Sequence, residues 1–266
     1  MKKTKFLMLC GSFAATLLSC GGKNDAPNMS QTATCGCTVE SGEATKHMVV
    51  PGNQWNELLS QLLYFPCTYE TTRITKVSSD TVAIDGLTYY RLLAAYDSSA
   101  SQWRENGFIR EDYASQKVYY KSGNKPEYLL YNFQAEVGDT VSLLRYQYNN
   151  YDVDIVSVVE AVDSVLTGKT WRKKFTVRLK AFNVPEYSNA KWVRSANWIE
   201  GIGCVNNILQ SDDIEIIVMP PGSSTYSLFC FFQNGKLIYK HEPTESTITA
   251  PHEQCCFVWN YSVKCN

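Results

Sequence analysis

The chain reads as an all-β protein, an antiparallel meander forming a single sandwich or barrel with at most one short helix. Three observations carry that reading. From Lys46 onward, short runs rich in Val, Ile, Thr, Tyr and Phe recur at about 8–12-residue spacing between turn-forming residues. Asp85-Gly86 and Asn234-Gly235 are two-residue hairpin signals, because both central positions of a type I′ turn need positive φ. In residues 151–166, Val153, Ile155, Ser157 and Val159 alternate with Asp154, Val156, Val158 and Glu160, giving one strongly apolar face and one mixed face.

The elements follow in order. Residues 53–64 are the exception to the β pattern, since Trp55, Leu58, Leu59, Leu62 and Leu63 fall at helical spacing; the segment is short, and a strand is the alternative. Strands are expected over 68–77 and 80–84, joined by Ser78-Ser79, and over 87–93 after Asp85-Gly86. The clearest meander runs through residues 107–148. Its strands at 107–112, 117–121, 128–133 and 140–148 are separated by turns at 113–116, Ser122-Gly123-Asn124 and Val137-Gly138-Asp139. Two long antiparallel strands, 151–166 and 169–182, flank Thr167-Gly168. After a loop near Pro185 come Trp198-Ile199-Glu200-Gly201-Ile202-Gly203, a strand at 214–218, the break Pro220-Pro221-Gly222, and a last hairpin of 225–232 with 236–239. The tail 241–266 is polar until Phe257-Val258-Trp259, which could add a strand. No internal repeat stands out.

Ahead of the β region lies a different kind of segment. Lys2, Lys3 and Lys5 precede an apolar run over residues 6–18, too short to cross a hydrocarbon core of about 30 Å. This is a signal peptide, and Leu17-Leu18-Ser19-Cys20 resembles the lipobox of bacterial lipoproteins. The resemblance implies cleavage before Cys20, diacylation of its thiol and acylation of the new amine. Two or more acyl chains anchor stably, at about 0.8 kcal/mol for each buried CH₂. The alternative is an ordinary secretory signal with an incidental thiol. Gly21 and Gly22 lack an inner-membrane retention aspartate, and Lys23-Asn24-Asp25 faintly resembles a surface-export signal. The domain organisation that follows is signal peptide 1–19, lipidated Cys20 and flexible tether 20–45, β domain 46–240, and Cys-rich tail 241–266 packed on the domain.

Charge bounds the partners. The chain has 25 Lys+Arg and 26 Asp+Glu, and losing the three signal-peptide lysines leaves 22 against 26. Such a mildly acidic chain is, taken as a whole, a poor candidate for nucleic acid or for an anionic membrane face, and no nucleic acid is expected as a partner. Eight cysteines remain after removal of Cys10 and acylation of Cys20: Cys35, Cys37, Cys67, Cys204, Cys230, Cys255, Cys256 and Cys265. An even count in an exported chain points to disulfides. The preferred pairing is Cys204 with Cys230, with the tether cysteines clamped to the C-terminal cluster. A metal site at Cys35-Gly-Cys37 or Cys255-Cys256 is the weaker reading, because neither matches C-x₂-C spacing; no metal and no cofactor are expected.

Catalytic motifs are scarce. Arg110-Glu111-Asp112 is the tightest charge cluster, but a glycosidase needs a second carboxyl about 5–10 Å away across a cleft. In the structural reading the triplet ends a strand and orders a turn, with Arg110 paired to a nearby carboxylate. Glu136 and Asp139 flank Gly138, and Asp139 is suited to bonding turn amides. His47, His241 and His252 show no metal-ligand spacing, and there is no G-x-S-x-G or phosphate loop. Tyr146, Tyr148 and Tyr151 cluster around Asn149-Asn150, as sugar-stacking or protein-binding aromatics or, more simply, as cross-strand packing partners.

One resemblance spans residues 46–239. Asn53-Gln54-Trp55, the run from Gly107 to Asp112, Lys117-Val118-Tyr119-Tyr120, the run from Glu127 to Phe133, Val137-Gly138-Asp139-Thr140, the run from Trp198 to Gly203 and Leu228-Phe229-Cys230-Phe231 together resemble a family of uncharacterised secreted proteins and lipoproteins of Bacteroidota. The resemblance implies an all-β extracytoplasmic domain, favours a strand over 53–64, and supplies no activity. The expectation is an outer-membrane or surface lipoprotein acting as a non-enzymatic binding module. Its partners would be the membrane through the anchor and a surface protein or glycan. The alternative is a lipid-anchored glycan hydrolase using Glu111, Asp112 or Glu200. Cys20→Ser should abolish metabolic labelling by palmitate, and persistent labelling would refute the anchor.

Overall fold

A computed structural model describes residues 44–64, 67–96, 100–148, 151–182, 193–209 and 224–241. The described residues form thirteen strands and no helix. The signal peptide, Cys20, Cys35 and Cys37, the strand expected at 214–218, and the tail with Cys255, Cys256 and Cys265 lie outside them.

Two curled antiparallel sheets enclose the core. The large sheet contains β1 (Gln54–Tyr64), β2 (Cys67–Ile84), β3 (Leu87–Ala95), β4 (Arg104–Asp112), β5 (Lys117–Lys121), β6 (Tyr128–Asn132), β12 (Ser224–Gln233) and β13 (Lys236–Lys240), in the order β13-β12-β1-β2-β3-β4-β5-β6. The small sheet contains β7 (Thr140–Tyr148), β8 (Tyr151–Thr167), β9 (Thr170–Phe182), β10 (Val193–Ile199) and β11 (Gly203–Cys204), in the order β11-β10-β9-β8-β7. Each sheet is thus a meander in which chain neighbours pair. The one long-range pairing is β1 with β12, which brings Trp55 opposite Phe231.

The hairpin signals act as their chemistry requires. Asp85 and Gly86 have φ of 52° and 79°, and Asn234 and Gly235 have 52° and 74°. The two strands expected over 68–84 are one continuous β2, whose pairing with β3 is interrupted between Val77 and Thr81. The helical stripe at 53–64 is overturned: the segment is β1, paired with β12 on one side and β2 on the other. Asn56, Glu57 and Leu58 are all buried beside Trp55, because β1 is central in its sheet. A strand covered on both faces shows no polar alternation, which left helical spacing as the visible pattern.

Aromatic rings join the sheets. Tyr131 of β6 packs edge-on against Trp198 of β10 at 5.2 Å and stacks on Phe133 at 5.5 Å. Phe133 and Trp198 both contact Phe175 of β9. Polar atoms reinforce the junction. The Trp55 indole donates to the Ile202 carbonyl at 2.7 Å, and the Tyr131 hydroxyl accepts from the Cys204 amide at 3.0 Å while donating to the Ile208 carbonyl.

The disulfide expected between Cys204 and Cys230 is not formed. Both side chains are buried, one in β11 of the small sheet and one in β12 of the large sheet. A backbone hydrogen bond from Leu228 to Val205 at 2.8 Å joins this part of the two sheets instead. The core is large enough to need no covalent link.

Under the loop after β11 lies a buried ion pair. Glu57 accepts from Arg73 Nε at 3.0 Å, from Thr75 at 3.3 Å and from the Ile208 amide at 3.0 Å. Asn207 then accepts from Arg73 Nη2 and from the Leu209 amide, each at 3.0 Å. Removing one partner strands a charge in a dry site. Arg73→Met should therefore lose about 3–5 kcal/mol of unfolding free energy in urea titration, and adding Glu57→Gln should restore part of it.

Candidate functional site

The carboxylates singled out in the sequence hold the fold at its N-terminal entry. Residues 45–49 run as a strap into the core, where Met48 and Val49 are fully buried. A buried backbone must pair its polar groups, and side chains supply the partners. Glu111, inward-facing on β4, accepts from the Met48 and Val49 amides at 2.8 Å each, and its other oxygen lies 3.1 Å from His47 Nδ1. Tyr113 donates to the Val49 carbonyl at 2.9 Å and stacks against His47 at 4.1 Å. Asn53 donates to the Met48 carbonyl at 2.9 Å.

The other anchor of the strap comes from the small sheet. Arg172 of β9 is fully buried and donates to Thr167 Oγ1 at 2.8 Å, the Glu200 carbonyl at 2.8 Å and the Thr45 carbonyl at 2.9 Å. Burial lowers its pKa from the ordinary arginine value, and nearby Glu200 opposes that shift. The Glu200 carboxylate takes Lys46 at 3.0 Å and the Lys173 amide at 3.2 Å. Gly201 follows in the left-handed region, where a Cβ would collide with the Lys46 carbonyl and the Arg172 guanidinium. Glu111 and Glu200 are therefore engaged by the same strap and face no open cleft through their carboxylates.

The remaining candidates are local. Asp112 caps the following turn through the Ala114 amide at 3.1 Å and the Ser115 hydroxyl at 2.6 Å; these bonds lower its pKa, the Ser115 hydroxyl most. Asp139 accepts from the Glu136 amide at 2.9 Å, as its turn position suggests. His241 accompanies Tyr239 at 3.4 Å, and His252 lies outside the described residues. Among the described residues no three His, Cys, Asp or Glu side chains gather as a metal-ligand group. Backbone register places Tyr148 opposite Tyr151 and Tyr146 opposite Val153; their side chains lie outside the description.

The developed surface chemistry sits elsewhere, on the outer face of β3 to β6. Register aligns Tyr89, Arg110 and Tyr119 in one cross-strand row, with Arg91, Phe108 and Lys121 in the next. Arg110 makes a bidentate pair with Glu127, both bonds 2.7 Å, and its guanidinium lies 3.9 Å from the Tyr119 ring centre. Tyr89 donates to the same carboxylate at 2.7 Å. Burial and the Glu127 bond raise the Tyr89 pKa, and the Glu127 bond raises that of Arg110. Arg91 lies over Phe108 and pairs with Glu105, while Lys76 sits 3.8 Å over Trp103.

The expected pairing of Arg110 to a carboxylate is thus present, with Glu127 as its partner. Tyr89, Trp103, Phe108, Tyr119 and Glu127 were not singled out as site residues. The available signal was alternation: Ile109 and Val118 point inward, so Arg110 and Tyr119 must share the outer face. Arg110→Lys keeps the charge but loses the planar fork and the stacking. It should lower the unfolding free energy by about 1–2 kcal/mol in urea titration. The chain matches no known protein-family profile, no curated protein and no solved structure.

Proposed function

We propose that the protein is an outer-membrane lipoprotein, anchored through Cys20, whose β domain is a non-enzymatic binding module for an extracellular protein. The observation that carries the reading is the outer face of β3 to β6. Trp103, Phe108 and Tyr119 share it with Arg91, Arg110 and, from the adjoining β2, Lys76, over a buried Tyr89, the aromatic and arginine composition that concentrates binding energy at interfaces. Cross-strand pairs hold these side chains before any partner arrives, which lowers the ordering cost of association.

A protein is favoured over a sugar by the state of the rings. Arg110 lies against Tyr119 and Lys76 against Trp103, so these aromatic faces are already covered by cations. A sugar platform needs an uncovered ring, whereas a protein surface can meet a mixed plane of ring edges and guanidinium groups. The hydrolase reading finds no support in the carboxylates it named, since Glu111, Asp112 and Glu200 are all held by backbone or turn partners.

The test is binding of the purified chain to a panel of extracellular proteins and glycans. A protein ligand should weaken by at least tenfold with Phe108→Ala or Trp103→Ala, at unchanged far-ultraviolet circular dichroism. Ligands unaffected by both substitutions would remove this face from the reading. Glycan cleavage abolished by Glu111→Gln or Glu200→Gln in a folded protein would establish the hydrolase instead.

A further inference from the structure

The hairpin of β8 and β9 extends beyond its neighbours. β7 pairs with β8 only as far as Val158, and β10 covers β9 only from Lys174 onward. The Gly138–Asp139 turn still bonds Val159 and Glu200 still bonds the Lys173 backbone; beyond them the two strands continue together to the turn at Thr167–Thr170, with no lateral strand on either side among the described residues. Its register places Val162, Ser164 and Leu166 on the same face as Phe175, Lys173 and Trp171. Phe175 is in the core, whereas Trp171 is 62% exposed and Leu166, directly opposite it, 52% exposed. A tryptophan and a leucine are held side by side in water at the end of a hairpin.

Two further features give that pair a context. The first is charge. From Leu166 to Lys174 the chain carries Lys169, Arg172, Lys173 and Lys174 and no acidic residue. Arg172 is buried and engaged with Thr167, Thr45 and Glu200, which leaves Lys169 and Lys173 exposed beside the apolar pair. Lys173 also reaches the Phe133 carbonyl at 3.4 Å. The facing groups are Asp163, opposite Lys174; Glu160, paired with Arg178; Glu200, paired with Lys46; and exposed Glu136 on the neighbouring turn. The second feature is position. Arg172 bonds the Thr45 carbonyl, so the chain enters the domain beside this ribbon.

We propose that the tip of the β8–β9 hairpin docks on a bilayer containing anionic lipid. Leu166 and Trp171 enter the interfacial layer, and Lys169 and Lys173 meet the headgroup phosphates. Tryptophan suits that depth because its ring is apolar and its N–H finds water or a headgroup acceptor. Lysines at the rim add attraction to an anionic surface that falls off within a Debye length. The bonds of Arg172 hold the ribbon against the body of the domain, so contact at the tip fixes the orientation of the whole module. Residues 21–43 span roughly 80 Å when extended, so a tether alone leaves that orientation free. The alignment of entry point and tip rests on acylation of Cys20, whereas docking itself does not.

The test uses the full chain carrying Cys20→Ser, which removes the acyl anchor, with vesicles of phosphatidylcholine alone or mixed with phosphatidylglycerol. Any binding through the leader is common to all variants. Leu166→Ser with Trp171→Ser should weaken partition onto the mixed vesicles about tenfold, and Lys169→Glu with Lys173→Glu at least threefold. Brominated lipid should quench tryptophan fluorescence, and the conservative Trp171→Phe should remove that quenching. Equal partition with the tip intact or substituted overturns docking, as does quenching that survives Trp171→Phe. Self-association in solution that is lost in Trp171→Ser overturns it in favour of a second copy as the occupant. Failure of palmitate labelling alongside intact vesicle binding would remove the anchor and leave docking standing.

Discussion

Five residues of extended chain, Thr45 to Val49, set the terms for the rest of the domain. They enter a dry core, where every amide and carbonyl needs a partner, and both sheets supply one. Glu111 and Tyr113 do so from β4 and its turn, Arg172 from β9. The charged side chains that look chemically ready are those the strap requires. Glu111 replaces the strand that would otherwise have bonded Met48 and Val49, and Glu200 holds Lys46 while its own carbonyl satisfies Arg172. Burial of Met48 and Val49 adds on the order of 3–6 kcal/mol toward ordering the strap, beside the hydrogen bonds that both sheets supply.

Much of this architecture was legible along the chain, because its information is local. Asp85-Gly86 and Asn234-Gly235 name their turn type, and Ile109, Val118 and Tyr120 alternate with polar neighbours as half-exposed strands do. What was hidden depends on distant partners. β1 loses its alternation because β12 arrives from the far end of the sequence to cover its second edge, and Glu57 stays inside because Arg73 and the Ile208 amide meet it there. Arg110 was expected to find a carboxylate, but only folding of β5 and β6 shows that Glu127 is the one. Cys204 and Cys230 also depend on the fold: an even cysteine count suggests a bridge, and folding buries the two in different sheets without one between them.

The exterior divides along the same lines as the layers. The large sheet carries its aromatic and cationic rows across β3 to β6, while the small sheet extends a ribbon whose apolar pair has no covering strand among the described residues. These surfaces differ in physical character. On the first, Arg91 and Arg110 each lie against a ring and a carboxylate and Lys76 lies against a ring, an arrangement suited to specific contact. On the second, apolar side chains stand beside uncompensated lysines, a combination that suits an extended charged surface better than a shaped pocket.

The β1–β12 seam has a consequence for the order in which the molecule can form. Both meanders are built from neighbours in sequence and can close as soon as their strands exist. β1, by contrast, waits for a partner that emerges only after the entire small sheet. Until then one side of β1 is a bare row of amides and carbonyls, and the large sheet has an open edge where its centre will be. Joining such distant segments carries a loop-closure cost that local hairpins avoid, so the seam is the part of the large sheet that depends most on long-range closure.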